Sequence, residues 1–232
     1  EHLNQKNVEC IGAPFLYLHD ILKQKIKSKG TLIIPAKSSY ENNEEVDFKK
    51  LINFVKNKFP KPYTILVGYF DLERVKKIRH NYRNCKFATC GKRGNKFFTD
   101  NLYKYINKHD NVAIFYVGSP ILYSLFLKKK TFFFFNRFIK ISTKKSKRLL
   151  QIKAIKKQLG EDRSLVNRMI KNYNLNFKNL NTKKNQKNAG IALGIECKKK
   201  SQQLIKLLGW DNNIKFIIAY FLSIIIKIRY FY

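Results

Sequence analysis

Acidic residues are scarce in this chain of 232 residues: 15 Asp and Glu face 48 Lys and Arg, for a net charge of +33. Such a balance implies polyanionic company, whether nucleic acid, an acidic membrane surface or phosphorylated substrates. A genome that writes Lys on any solvated surface would give part of the same excess. Histidine is also sparse, and His2, His19, His80 and His109 lie near the chain start or in predicted helices with no partner spacing. They are read as surface residues. Of four cysteines, Cys85 and Cys90 make half a zinc spacing, but Cys10 and Cys197 are remote and no His pair completes the set. No structural metal is expected, the strand-embedded thiols read as small buried hydrophobes, and a reducing compartment follows. There is no secretory leader in view, although a chain opening on Glu1 leaves room for an upstream segment. No nucleophile elbow, convincing carboxylate pair, His-rich metal motif, Walker spacing, helix-turn-helix or RNA-binding signature is found. The longest charge-free apolar run at the end, Phe216 to Ile226, falls short of the roughly 20 residues of a spanning helix. It reads as a buried final helix, an interfacial membrane helix or, with snorkelling cations, a span.

What is present is a rhythm. Six short β-branched or aromatic runs, Val8–Ile11, Thr31–Ile34, Tyr63–Val67, Cys85–Thr89, Val112–Val117 and Thr131–Phe135, alternate mostly with helix-period segments. That pattern predicts an α/β fold with a Rossmann-like parallel sheet and flanking helices. Phe48, Leu51, Ile52 and Val55 follow the acidic Glu44, Glu45 and Asp47, which suit a helix N-terminus, and that helix should stop near Phe59-Pro60. Phe98, Leu102, Tyr105 and Ile106 mark another.

Three divisions are expected. Residues 1–29 close an upstream Rossmann-like half, 30–140 form a nucleotide-binding domain, and 141–232 form a basic helical region carrying 21 of the cations and only four acids. In that last region Leu149, Ile152, Ile155 and Leu159 form an apolar stripe. Residues 172–200 read as a polar, weakly ordered connection, and a short helix runs from Ser201 to Gly209.

In parallel sheets ligands bind at the carboxyl ends of the strands, so the loops there carry the candidates. Gly118, Ser119 and Pro120 start a helix, with Ser119 at the N-cap and Pro120 at the first position; Ser119 either only caps or also holds phosphate with free amides. Gly91, Lys92 and Arg93 put two cations between glycines, suited to pyrophosphate or to plain solvation. Lys37, Ser38 and Ser39 are phosphate donors or a polar turn. Asp71 caps a helix, binds a ribose hydroxyl or acts as a base.

Taken together, Gly30-Thr31-Leu32-Ile33-Ile34-Pro35, the Thr89–Arg93 turn with Phe97-Phe98 and Asn101-Leu102-Tyr103, Gly118-Ser119 with Tyr123, and Leu207-Leu208-Gly209-Trp210 resemble bacterial surface-polysaccharide glycosyltransferases of the GT-B type, those of capsule and lipopolysaccharide. The resemblance implies two Rossmann-like halves, a nucleotide-sugar donor, no cofactor or obligatory metal, and a lipid-linked or polysaccharide acceptor. It also implies a cytoplasmic location, peripheral at the inner membrane face. Gly118 and Ser119 would hold donor phosphate, Lys92 and Arg93 would stabilise the departing nucleotide, and Tyr123 would line the site. A His is expected before Ser38, where this chain has Lys37; either activity is lost or Lys37 stabilises charge. The alternatives are a nucleic-acid-binding protein and a membrane-surface scaffold.

Overall fold

The computed structural model describes residues 9–22, 27–36, 44–92, 94–135, 138–141 and 148–207. Two compact units emerge: residues 14–193 form one, and residues from the two ends of the chain, of which 9–13 and 194–207 are described, form the other. The boundary expected at 141 falls inside the larger unit.

That unit runs α1 (Pro14–Ile21), β1 (Thr31–Ile34), β2 (Glu44–Val46), α2 (Phe48–Lys58), β3 (Tyr63–Leu66), α3 (Leu72–Ile78), β4 (Cys85–Ala88), α4 (Phe98–Asn107), β5 (Asn111–Ile114), α5 (Ser119–Phe126), β6 (Lys130–Phe133), β7 (Ile139–Ile141), α6 (Arg148–Tyr173) and α7 (Lys183–Ala192). Five strands form one parallel sheet in the order β4-β3-β1-β5-β6, while β2 and β7 pair antiparallel beside it. The sheet order reverses direction between β1 and β5, the topological switch point of a Rossmann-like fold.

Alternation of side chains divides the core into two layers. Leu32, Ile34, Val112 and Ile114 face α4, α5 and α7, whereas Ile33, Ile65, Ala113 and Phe115 face α2 and α3. Central strands buried on both faces explain why these runs are continuously apolar rather than alternating. The Phe132–Phe135 run follows the same rule. Phe132 and Phe134 lie against Phe59 and Phe54 at 5.0 and 5.1 Å, while Phe133 meets Phe177 on the other side at 5.5 Å.

Several expectations are corrected. Glu9, Cys10 and Ile11 are exposed and form no strand; Phe15 and Leu16 of α1 supply the burial instead. Glu44 and Glu45 do not open α2, because Val46 is buried in a strand and Asp47 is the cap, accepting from the Lys50 amide at 3.2 Å. His109 is no surface residue. Its Nδ1 meets the Tyr105 carbonyl at 2.6 Å and its Nε2 meets Thr64 Oγ1 at 2.8 Å. A carbonyl only accepts, so Nδ1 carries the proton and neutral Nε2 takes the Thr64 hydroxyl. Burial pushes this imidazole below its ordinary value.

In place of the irregular connection expected over 172–200 stands a packed turn and helix. Leu175, Leu180 and Ala189 join the core under α5. The asparagines satisfy backbone rather than water: Asn185 is almost fully buried. Asn181 pairs with both the amide and the carbonyl of Thr131, at 2.6 and 3.1 Å, and so closes the open edge of β6 as a further strand would.

The smaller unit contains the turn Ile195–Cys197 and α8 (Ser201–Leu207), the first part of the helix expected to reach Gly209. Leu149, Ile152, Ile155 and Leu159 lie in the first half of α6, whereas Trp210 and the run 216–226 lie outside the described residues. Among the described residues no helix is long and apolar enough to cross a membrane.

Candidate functional site

A cleft of about 390 Å3 opens at the carboxyl ends of β1, β3, β4 and β5. Its volume lies within the roughly 300–1,000 Å3 of small-molecule sites. Pro35 and Ala36 come from the end of β1, Gly68 to Asp71 from β3, Cys90 to Lys92 from β4, and Tyr116, Ser119 and Pro120 from β5, with Phe98 and Leu102 of α4 as an apolar wall. A second depression, of about 470 Å3, sits at the amino ends of β5 and β6, where Lys129 is spent on the Asn107 carbonyl at 2.7 Å. It is remote from the strand ends where such folds hold ligands.

Each loop is built by local chemistry. Gly91 adopts φ +86°, a left-handed conformation that favours glycine, and its amide donates to Thr89 Oγ1 at 3.1 Å. Asn95 then ties the turn, taking the Phe97 amide on its side chain at 2.9 Å and donating its own amide to the Lys92 carbonyl at 3.0 Å. The turn carries Lys92 to the cleft, where its ammonium lies 5.2 Å from the centre of the Tyr69 ring. Tyr69 and Phe70 stand 42% and 60% exposed on a single 3₁₀ turn, their rings edge to face. Exposed aromatics on a loop at the rim of a cleft offer a stacking surface. Nothing in periodicity singles them out; their place after a strand was the available signal.

Asp71 lines the same cleft with its side chain 3% exposed, Oδ1 lying 3.0 Å from Arg74, whose other nitrogen reaches Glu45 at 2.8 Å. The carboxylate makes no cap bond to α3. Arg74 therefore ties β2, α3 and the turn after β3 into one support. Cys90 also faces the cleft, and burial pushes its thiol up to about 12, so it stays protonated and is no nucleophile at neutral pH.

At the start of α5 the cap is Gly118, not Ser119. A Cβ at Gly118 would come within 3.0 Å of the Tyr116 ring, so the close approach rests on a bare Cα. Pro120 has no N–H and the Ile121 amide turns back to the Gly118 carbonyl at 3.1 Å, so two of the first amides are removed from the phosphate-binding set. The exposed Ser119 hydroxyl faces the cleft.

Of the predicted site residues, Asp71, Gly91, Lys92 and Ser119 are brought together, and Gly118 adjoins them. Tyr123 is not with them: one turn further along α5, its ring stacks on Phe15 of α1 at 3.8 Å and is held there. Lys37, Ser38, Ser39 and Arg93 lie outside the described residues. Comparison with protein-family models, curated proteins and solved structures gives no match.

Proposed function

We propose that the chain is a glycosyltransferase that takes its sugar from a nucleotide-activated donor and passes it to a lipid-linked or polysaccharide acceptor. One observation carries this reading: the carboxyl-edge cleft gathers a cation, an exposed aromatic pair, a hydroxyl at a helix start and a buried carboxylate around an apolar wall. Those are the groups that a base, a diphosphate and a sugar require. The base would lie against Tyr69 and Phe70, the diphosphate between Lys92 and Ser119, and a sugar hydroxyl would donate to Asp71, which Arg74 holds in place.

In the transfer the bond between the anomeric carbon and the nucleotide's oxygen breaks while an acceptor hydroxyl oxygen bonds that carbon and loses its proton to water, and negative charge grows on the departing oxygen. An ammonium already in place stabilises it without a covalent intermediate. On this reading the described sheet is one half of a GT-B pair, and the acceptor is delivered at the inner face of a membrane.

The net charge of +33 favours a second reading, in which the chain holds nucleic acid or an anionic surface by charge alone. Thermal unfolding of the purified chain with a panel of nucleotides and nucleotide sugars, at moderate and high salt, separates the two. Stabilisation by one base that survives high salt supports the transferase; stabilisation by any polyanion that salt abolishes supports the second reading. Failure of every nucleotide to stabilise the folded chain overturns the first.

A further inference from the structure

Cys10 and Cys197 are far apart in sequence, yet three neighbouring contacts in the smaller unit bring their segments together. The Glu9 carboxylate pairs with the Lys199 ammonium. Gly194, at φ +76°, lies so close to Gly12 that a Cβ there would sit 2.9 Å from the Gly12 Cα. Between these two contacts the Cys10 and Cys197 side chains share a hydrogen bond. The order is antiparallel: 9 with 199, 10 with 197, 12 with 194. The Cys197 amide donates to the Gly194 carbonyl at 3.0 Å, which sets the turn that presents its sulfur. Cys10 is exposed and Cys197 partly so, open to a small oxidant.

We propose that Cys10 and Cys197 form a reversible oxidation site, closing to an intramolecular disulfide in the presence of a peroxide and reopening with a thiol reductant.

The two sulfurs have different environments. The hydrogen bond from Cys197, then the Gly12 backbone and the Lys199 charge hold the Cys10 thiol below its ordinary value, whereas Cys197 is pushed up by its bond to Cys10. Cys10 is also the more exposed of the two, so it is the thiolate that meets the oxidant and Cys197 is the resolving thiol. The Cys10 thiolate attacks one oxygen of hydrogen peroxide, the O–O bond breaks, and the departing hydroxide takes a proton to become water. Cys197, giving up its proton, then attacks the sulfenic sulfur of Cys10; the S–O bond breaks, the S–S bond forms and a second water leaves. The two sulfurs lose two electrons and the peroxide gains them. Cys85 and Cys90 are buried, with thiols pushed upward by desolvation, and serve as unreactive controls within the same chain.

The experiment is peroxide treatment of the purified full chain, followed by counting thiols in denaturant and by mass spectrometry of unreduced peptides. The expected result is loss of two of the four thiols, a cross-linked peptide joining Cys10 to Cys197, and full recovery of thiols with dithiothreitol. Cys197→Ser should leave a sulfenic acid on Cys10 that dimedone traps, and Cys10→Ser should leave none. Four surviving thiols, bridges only between separate chains, or a bridge through Cys85 or Cys90 would overturn the proposal.

Discussion

Replacing Asn185 tests whether a polar side chain organises the region after α6. Asn185 is 1% exposed; its Oδ1 accepts the Asn176 amide at 2.9 Å, and its Nδ2 serves the carbonyls of Asn176, Asn179 and Leu180 at 2.9, 2.9 and 3.1 Å. In Asn185→Ala the groups on Asn176 and Asn179, both exposed residues, can turn to water, at about 0.5–1 kcal/mol for each bond lost. The Leu180 carbonyl belongs to a residue only 5% exposed and is orphaned, at about 1–3 kcal/mol. The sum is about 2.5–6 kcal/mol, a large share of the roughly 5–15 kcal/mol that holds a typical domain. Urea unfolding reads it as a lower midpoint with an unchanged slope. Asn185→Asp keeps shape and acceptor but turns a carboxylate oxygen on three carbonyls, and should cost more than Ala. A loss below about 0.5 kcal/mol for Asn185→Ala, the size of an ordinary surface change, would refute the reasoning, as would Asp faring no worse than Ala.

Three further predictions follow from other parts of the unit. His109 is held neutral in the fold, with burial the leading cause, so below about pH 6.5 the unfolded chain binds a proton that the native state refuses. The stability from this site is complete above that pH and declines as pH falls through it; His109→Gln should flatten the acid side of a pH series of urea unfolding, and identical slopes would remove the claim. Gly30→Ala places a Cβ 2.2 Å from the Pro62 carbonyl oxygen at φ +78°, where backbone must move, so a loss of at least about 2 kcal/mol or an insoluble product is expected. An Ala variant as stable as the parent in chemical denaturation would contradict it. Lys92→Ala and Tyr69→Ala, both at exposed positions, should each weaken nucleotide binding about fivefold, the worth of roughly 1 kcal/mol of cation–π or stacking contact, with the unliganded melting point unmoved. Calorimetric titration decides; unchanged affinity in both variants would remove these two residues from the site.

Parts of the cleft were legible because they follow from chain order. A strand, a Gly-bearing loop and a helix in succession place Ser119 at a carboxyl edge whatever the packing, and Gly91-Lys92 after β4 obeys the same logic. Tyr69 and Phe70 were not legible as site residues, since an aromatic is ordinarily core and only its 42% and 60% exposure identifies it as surface. Tyr123 failed in the opposite sense: its ring found Phe15 on a helix that periodicity did not announce. The Asn-rich stretch reads as solvated by composition alone, yet its side chains replace water by bonding backbone at precise distances, as Asn181 does on β6.

By itself the sequence determined the class of the fold and the positions of the five sheet strands, because a strand buried on both faces needs an unbroken apolar run and a parallel neighbour needs a crossover between. It also determined the net charge of +33, which survives any folding. Only the tertiary structure decided the strand order and hence which loops share a cleft. Only it joined Arg74 to Glu45, buried His109 and brought Cys10 to Cys197. Such pairings join residues distant in sequence, and no local period records them; they exist when burying two apolar faces folds the chain back and places polar groups where only each other can satisfy them.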